Sequence, residues 1–410
     1  MDSPLKGLEQ YEGAPADEIR RAPRAGLSNL VDLAIDQQVQ FVLIAGDLYD
    51  GNWKDFQTGM VFVKQAVRLR EARIPLYLIA GNHDAANKMT RSLPLPENVT
   101  LFPANAATTA MVADLDVAIH GQSFATAEIT EDLSLAYPAA VAGCVNIGLL
   151  HTSVDGREGH VSYAPCKLDG LRLKGYDYWG LGHIHKREVL CAEPLVVFPG
   201  NIQGRHIRET GPKGCYVVTV HDDRRLEPKF YPLDIMRWEV ARVDISSAVD
   251  DDQVLASVSQ RLCEARNASP EHSLAVRVEL QGASALHGQL LAHQETWIHQ
   301  IRSLALDAGQ GQMWIEKVKF FTSDPASASR RHVDEAALGE LTDLFAQARQ
   351  DSQILKQVGF DFSPVLKKLP PELRAEIGST EQLDPAWLAT AVQQAEALLI
   401  HRLTHPVGKP

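Results

Sequence analysis

Four short polar clusters in this 410-residue sequence gather residue types that do chemistry: Gly46-Asp47-Leu48-Tyr49-Asp50, Gly81-Asn82-His83-Asp84, His151-Thr152 and Gly182-His183-Ile184-His185. Carboxylate, amide-oxygen and imidazole donors in one set suit hard to borderline divalent metals such as Mn, Fe or Zn, and no cluster contains a thiolate. An Asp that offers both oxygens can bridge two ions. Two ions roughly 3.5–4 Å apart polarise a phosphoryl group and generate hydroxide at neutral pH. Taken singly, each cluster has a plainer reading: Gly-Asp as a turn, Asn-His-Asp as a polar loop, a lone His as surface or core. Four of them in this order, each directly after an apolar run, argue for one shared site.

The elements that must position them alternate. From Ala22 to Asp36, Leu27, Leu30, Val31, Ala34 and Ile35 recur at helical spacing, and the short apolar run Gln40 to Ala45 then stops at Gly46-Asp47. Phe56 to Arg73 repeats the helical pattern, followed by Leu76 to Ala80 and a stop at Gly81-Asn82. This alternation predicts a layered α/β fold, in which ligands gather at the carboxyl ends of strands. The runs V-T-L-F, T-A-M-V and D-V-A-I-H between Val99 and Ser123 read as a β meander. Val145 to Leu150, Tyr178 to Leu181, Leu195 to Phe198 and Tyr216 to Val220 add strands, so that one mixed domain covers 1–234. A βαβαβ module is expected over 235–322, with helices at Asp252 to Ala265 and Gln289 to Leu306. After a Ser/Ala-rich connector, 330–410 reads as helical, with apolar periodicity over Val333 to Ala348 and Pro385 to Leu403.

Composition narrows the function classes. With 40 Lys plus Arg against 52 Asp plus Glu, a net charge of -12, the chain does not coat nucleic acid through bulk charge, and any DNA contact is local. Hydrophobic residues at 45% and charged residues at 22% exclude a disordered or fibrous chain. The five cysteines form no C-x-x-C pair, which fits reduced thiols better than a zinc ribbon or a disulfide framework. No apolar run approaches a membrane span and the opening Met1-Asp2-Ser3-Pro4 has no signal-peptide pattern, so a cytoplasmic location is expected.

The motif set resembles that of the calcineurin-like metallophosphoesterases: D-x-H, G-D-x-x-D or similar, G-N-H-D/E, a single His and a closing G-H-x-H, of which all but the first are present. The added module, the helical tail and the stretch Pro199-Gly200-Asn201-Ile202-Gln203-Gly204-Arg205-His206-Ile207-Arg208-Glu209 are similar to the DNA-repair exonuclease branch, the SbcD-type or YhaO-like nucleases. The resemblance implies a β-sandwich flanked by helices, a small βαβαβ capping domain and a helical C-terminal region. It implies two divalent ions, most simply Mn, with Asp47 bridging both, Asn82, His151 and His183 completing one site and His185 serving the other. His83 would act on the scissile phosphate, protonating the leaving oxygen, and Asp50 falls where the family places its carboxylate partner; for Asp50 a helix-start residue is the equal alternative. Arg205 and Arg208 are expected on backbone phosphate, with His206 between them, and Lys167, Arg172 and Lys174 would add to the local positive field, although the two lysines read rather as solvated charge. A partner ATPase of the SMC-like type is expected on the C-terminal helices, and a homodimer is left open.

The departure is the first motif. The segment Asp2-Ser3-Pro4-Leu5-Lys6-Gly7-Leu8 resembles the sequence directly after D-x-H-x in this branch, so the expectation is a natural polypeptide longer by about ten to fifteen residues, roughly a strand and a turn, carrying an Asp and a His. Three functions are therefore carried forward: a metal-dependent DNA nuclease, a small-molecule phosphodiesterase or phosphatase, and a non-catalytic scaffold subunit.

Overall fold

A computed structural model describes residues 16–49, 57–86, 94–112, 114–155, 164–325, 336–351, 353–354 and 385–404. The chain divides into two compact units, Met1–Glu239 with Ser269–Val276, and Val240–Ala268 with Arg277–Pro410.

The first unit is built on helices α1 (Ala16–Asp36) and α2 (Gln57–Glu71) and strands β1 (Val42–Ala45), β2 (Leu76–Ile79) and β3 (Val99–Leu101), the strands forming a parallel sheet in the order β1-β2-β3. Both faces of these strands are apolar, and period-two alternation sends successive side chains to different layers. Val42, Leu76 and Leu78 pack with Leu27, Val31, Ala34, Phe62 and Leu69 of the two helices. Tyr77 and Ile79, the intervening residues, pack against a second sheet through Ile119, Ile147, Leu149 and Val197.

That second sheet has the order β4-β5-β6-β7-β9-β8, from β4 (Thr108–Met111), β5 (Val117–Gly121), β6 (Val145–His151), β7 (Tyr178–Gly182), β8 (Glu188–Ala192) and β9 (Leu195–Phe198). Its central strands β5, β6, β7 and β9 are parallel. Its outer face, Leu150, Trp179, Leu181, Val196 and Phe198, is covered by Tyr137, Leu171 and Tyr176, with Leu171 supplied by α4 (Leu168–Leu173). The order helix, sheet, sheet, helix is thus set by alternation within single strands. Each fully buried Leu, Ile or Phe contributes about 1.5–3 kcal/mol. Strands β10 (Gly214–Val220) and β11 (Leu226–Pro232) pair as an antiparallel hairpin.

The expected meander does not form. β3 pairs in parallel with β2 in the first sheet, while β4 and β5 are an antiparallel pair in the second. Runs of three to five residues mark strands but carry no signal of which edge they join. The chain leaves the first sheet at Phe102, whose N–H donates to the Leu78 carbonyl and whose ring is buried between the sheets.

In the second unit, strands β12 (Met236–Asp244), β13 (Ser273–Ala283) and β14 (Met313–Ser323) form a sheet in the order β12-β13-β14, the boundary between units falling within β12 and β13. Helix α5 (Asp251–Ala268) buries Val254, Val258, Leu262 and Ala265. The helix expected over Gln289 to Leu306 is two helices, α6 (His287–Ala292) and α7 (Gln294–Ala308), separated by His293 at φ -125° and ψ 37°. The buried series Leu290, Trp297, Ile301 and Ala305 keeps helical spacing across the break, so periodicity could not reveal it. Helices α8 (Ala336–Gln350) and α9 (Pro385–Thr404) follow and are joined by an Arg349–Glu396 ion pair. Among the described residues no helix is long and apolar enough to cross a membrane.

Candidate metal centre

Strands β1 and β2 run parallel in one sheet, and β6 and β7 run parallel in the facing one. Each ends at a polar cluster. β1 stops at Ala45 before Gly46-Asp47, β2 at Ile79 before Gly81-Asn82, β6 at His151 itself and β7 at Gly182 before His183. Asp47, His151 and His183 each offer one ligand atom, all within 4.8 Å of one another. Asn82, in the first turn of the short helix α3 (Asn82–Ala86), places its Oδ1 2.9 Å from His151 Nε2. (In chain order this helix lies between α2 and α4.)

The backbone is bent to bring these groups together. Gly46 has φ +90° and Asp47 φ +54°, while His183 sits at φ +90°. Left-handed conformations at non-glycine residues cost about 1–3 kcal/mol each and persist where the surroundings impose them. A Cβ on Gly46 would lie 2.5 Å from His151 Nδ1 and 2.9 Å from Gly81 Cα, so the close approach of three strand ends requires glycine there. At Gly182 a Cβ would collide with the Ala45 carbonyl.

That carbonyl fixes the chemistry of His151. Buried His151 donates its Nδ1–H to Ala45 O at 2.9 Å, which leaves a lone pair on Nε2 in the neutral ring. Facing Nε2 are two oxygens, Asn82 Oδ1 at 2.9 Å and Asp47 Oδ2 at 3.4 Å. With the ring neutral, three lone-pair donors converge there with no proton to share between them, an arrangement that a divalent cation satisfies. The donor set of this structure fits such an ion: Asp47, Asn82, His151 and His183 would hold it.

Asp84, the last residue of the G-N-H-D cluster, organises the loops around the ligands. Its buried carboxylate accepts from the backbone N–H groups of Leu48 (3.3 Å), Tyr49 (3.0 Å) and Gly81 (3.0 Å), tying the loop after β1 to the loop after β2. Burial, and then the neighbouring charge of Asp47, push the Asp84 carboxyl above its ordinary range, against the opposing pull of these N–H donors. Asp47 Oδ1 in turn accepts from the His83 backbone N–H at 3.2 Å. The half-buried His83 is thus tied to the cluster through its main chain.

The remaining expected residues fall elsewhere. His185 is not one of the three clustered ligands; its Nδ1 lies 2.8 Å from Glu209 Oε1. The Arg205 guanidinium approaches the same His185 nitrogen at 2.8 Å and Glu209 Oε1 at 3.4 Å, so it is engaged with protein groups. Arg208 is exposed, and His206 sits 3.7 Å from Glu209. Burial alone would raise the Glu209 carboxyl; the hydrogen bond from His185 and the charge and backbone N–H of Arg205 hold it far below the carboxylate range. Arg172 pairs with Asp169 at 3.3 Å, Lys174 donates to Leu135 O at 3.1 Å, and Lys167 is exposed. Asp50 lies outside the described residues. Sequence reasoning alone gives no role to Asp84 or Glu209. The signal for Asp84 is its place in G-N-H-D; Glu209 stands out only as the end of the stretch from Pro199.

Residues 21–187 match the calcineurin-like phosphoesterase family, and residues 238–323 match the middle domain of the metallophosphoesterase YhaO. The chain is 34% identical over 289 residues to the uncharacterized metallophosphoesterase YhaO of Bacillus subtilis, an overlap of 69% of this chain and 70% of that protein. It is 30% identical over 168 residues to the DNA double-strand break repair protein Mre11 of Sulfurisphaera tokodaii, spanning 40% of this chain and 42% of the relative. A second protein of that name, from Sulfolobus acidocaldarius, is 24% identical over 278 residues, 64% of this chain and 70% of the relative. With a four-layered sandwich whose strand ends assemble this donor set, and with these matches along both of its units, the chain belongs to the calcineurin-like metallophosphoesterases, in the branch that contains YhaO and Mre11.

Proposed function

We propose that the chain is a divalent-metal-dependent nuclease that hydrolyses DNA phosphodiester bonds, an exonuclease of DNA repair. The observation that carries this reading is the convergence at the strand ends of Asp47, His151 and His183, whose ligand atoms lie within 4.8 Å of one another, with Asn82 Oδ1 2.9 Å from His151 Nε2. Two relatives named as DNA double-strand break repair proteins support DNA as the substrate.

Bound there, manganese ions would polarise the phosphoryl group and supply hydroxide at neutral pH. The chain's own groups do the rest. Asp47 would be shared by the two ions, and His185 would serve the second. His83 donates a proton to the leaving oxygen, its main chain anchored on Asp47. Asp50 orients that imidazole. Arg208, exposed, meets the DNA backbone, and Arg205 adds positive charge beside His185. The partner is an SMC-like ATPase that docks on the helices of 330–410, where Leu344 and Trp387 expose apolar surface on α8 and α9.

Incubation with Mn and either linear duplex DNA or a simple aryl phosphodiester tests the reading. DNA degraded from its ends, with the activity lost in His83→Ala, supports it. Cleavage of the small ester while DNA stays intact favours the phosphodiesterase, and no metal-dependent turnover of either favours a scaffold.

A further inference from the structure

The edge of the second sheet at which His151 and His183 stand continues past the ligand cluster. β9 pairs in parallel with β7, and β8 runs back beside β9 with Glu188 opposite Phe198, so Arg187 enters the sheet and Pro199 leaves it at the same edge as Gly182. Three segments are laced together there. The Asn201 N–H donates to His185 O at 3.3 Å, the Gly214 N–H donates to Asn201 O at 3.2 Å, and Lys213 O accepts from the N–H groups of Leu233 and Asp234 at 2.8 and 3.2 Å. Gly200, at φ +78°, lets the chain pass Arg187 closely: a Cβ there would lie 3.0 Å from Arg187 N.

Two cations of these segments have no anionic partner. The exposed Arg187 lays its guanidinium over the Phe230 ring, 3.7 Å from the centroid, and among the described residues it makes no hydrogen bond or ion pair. Stacking holds the plane in place and leaves its N–H donors unspent. Lys213 is 8% exposed, and among the described residues its ammonium makes neither a hydrogen bond nor an ion pair. Burial lowers the Lys213 pKa from its ordinary value, Glu209 and Asp234 pull it back up, and the nearby charge of Arg187 lowers it again. Both carboxylates are already matched: Glu209 takes the Arg205 guanidinium at 3.4 Å, and Asp234 takes that of Arg237 on both oxygens, at 2.9 and 3.0 Å. A desolvated ammonium beside a second cation is costly unless an anion joins them.

A planar guanidinium and an ammonium together suit a phosphate, the first binding it by two donors and the second as a point charge. β9 and β8 stand one and two strands beyond β7, a step of about 5–10 Å along the edge. That step sets the pair beside the reacting phosphate rather than on it.

We propose that Arg187 and Lys213 form an anion subsite that grips a flanking phosphate of the DNA backbone, one that is not cleaved. The proposal rests on the nuclease reading and adds to it a hold on the substrate strand.

The test uses the full chain. Metal-free binding of a labelled linear duplex, followed by anisotropy from about 50 to 200 mM salt, should weaken about tenfold in Arg187→Ala, with the slope of log K against log salt smaller by about 1. Arg187→Lys keeps the charge and so the slope, but loses part of the affinity with the planar fork. With manganese, Arg187→Ala should raise KM for DNA and leave turnover of a simple aryl phosphodiester, which has no flanking phosphate, at the wild-type rate. Lys213→Met should weaken duplex binding in the same sense; if it does not fold, the exposed Arg187 carries the test. Wild-type slope and KM in Arg187→Ala overturn the subsite, while DNA cleavage by the wild type keeps the nuclease reading. Equal losses on DNA and on the aryl ester also overturn it, because the pair then grips the reacting phosphate. Calorimetric titration with inorganic phosphate should show no tight site; a tight site lost in Arg187→Ala assigns the pair to free phosphate instead. If the wild type binds DNA without cutting it, the nuclease reading falls and the salt slope alone decides the subsite.

Discussion

Replacing Gly46 by Ala adds one methyl group at the point where three strand ends meet. The new Cβ lies 2.5 Å from His151 Nδ1 and 2.9 Å from Gly81 N and Cα. Ordinary van der Waals contact begins near 3.5 Å, so the imidazole must retreat by about 1 Å. Its Nδ1–H bond to Ala45 O, 2.9 Å long, cannot survive that movement at good geometry. Three costs add: about 1–2 kcal/mol for holding Ala at the left-handed φ of +90°, about 1–3 for overpacking, and about 0.5–1.5 for the lost hydrogen bond. Partial relaxation shares these, so a destabilisation of about 2–5 kcal/mol is expected by urea or thermal unfolding. The second consequence is specific to the site. Without the Ala45 carbonyl to fix its tautomer, His151 loses the outer partner whose removal typically weakens metal affinity about 10–100-fold. Manganese titration of folded Gly46→Ala should show that loss, while Gly170→Ala, whose Cβ meets nothing within 4 Å, should bind manganese as the wild type does. Wild-type stability together with wild-type metal affinity in Gly46→Ala would refute the tight meeting of strand ends on which the site depends.

Other perturbations separate the groups further. Asp84→Ala leaves the N–H groups of Leu48, Tyr49 and Gly81 without their shared acceptor and should cost at least about 2 kcal/mol, measured by denaturant unfolding, together with weaker manganese binding. His83→Ala keeps the backbone N–H that holds Asp47, so manganese affinity should persist while DNA cleavage falls about 10²–10⁴-fold in a steady-state assay. His120, buried against Tyr176 and bonded to Thr109 and Asn146, has its pKa lowered by burial from an ordinary value of 6.5. The unfolded chain then binds this proton more readily, so the contribution of His120 to stability is complete above about pH 6.5 and is lost as pH falls toward the lower folded value. Unfolding at pH 7.5 and at pH 5.5 should show a drop that His120→Gln reduces. Asp234→Ala removes the carboxylate that pairs with the Arg237 guanidinium at 2.9 Å, leaving a largely buried charge unpaired at a cost of about 3–5 kcal/mol by chemical unfolding.

Much of the site was legible because its residues come directly after apolar runs that can only be buried strands. Gln40 to Ala45 and Leu76 to Ala80 each end in a polar cluster, and parallel pairing puts such ends on one edge. What spacing could not give is the partner of each group. His183 and His185 stand two residues apart in the sequence, yet one joins Asp47 and His151 while the other turns to Glu209. The left-handed φ of +90° at His183 redirects the chain between them, and nothing in Gly-His-Ile-His announces it. Arg205 likewise reads as a phosphate contact from its neighbours Gly204 and Arg208, whereas its guanidinium engages a carboxylate four residues on. The meander failed for a related reason: V-T-L marks a strand, but the register of Leu76 with Val99 that recruits β3 to the first sheet is a property of tertiary packing.

The most direct measurement is a crystal structure of the chain soaked in manganese, with anomalous scattering collected at the manganese edge. An anomalous peak should appear within coordinating distance of an Asp47 carboxylate oxygen, Asn82 Oδ1, His151 Nε2 and His183, with His151 Nδ1 still donating to Ala45 O. A peak confined to other residues, or a cluster left empty at saturating manganese, would contradict the assignment of these strand ends as the metal centre.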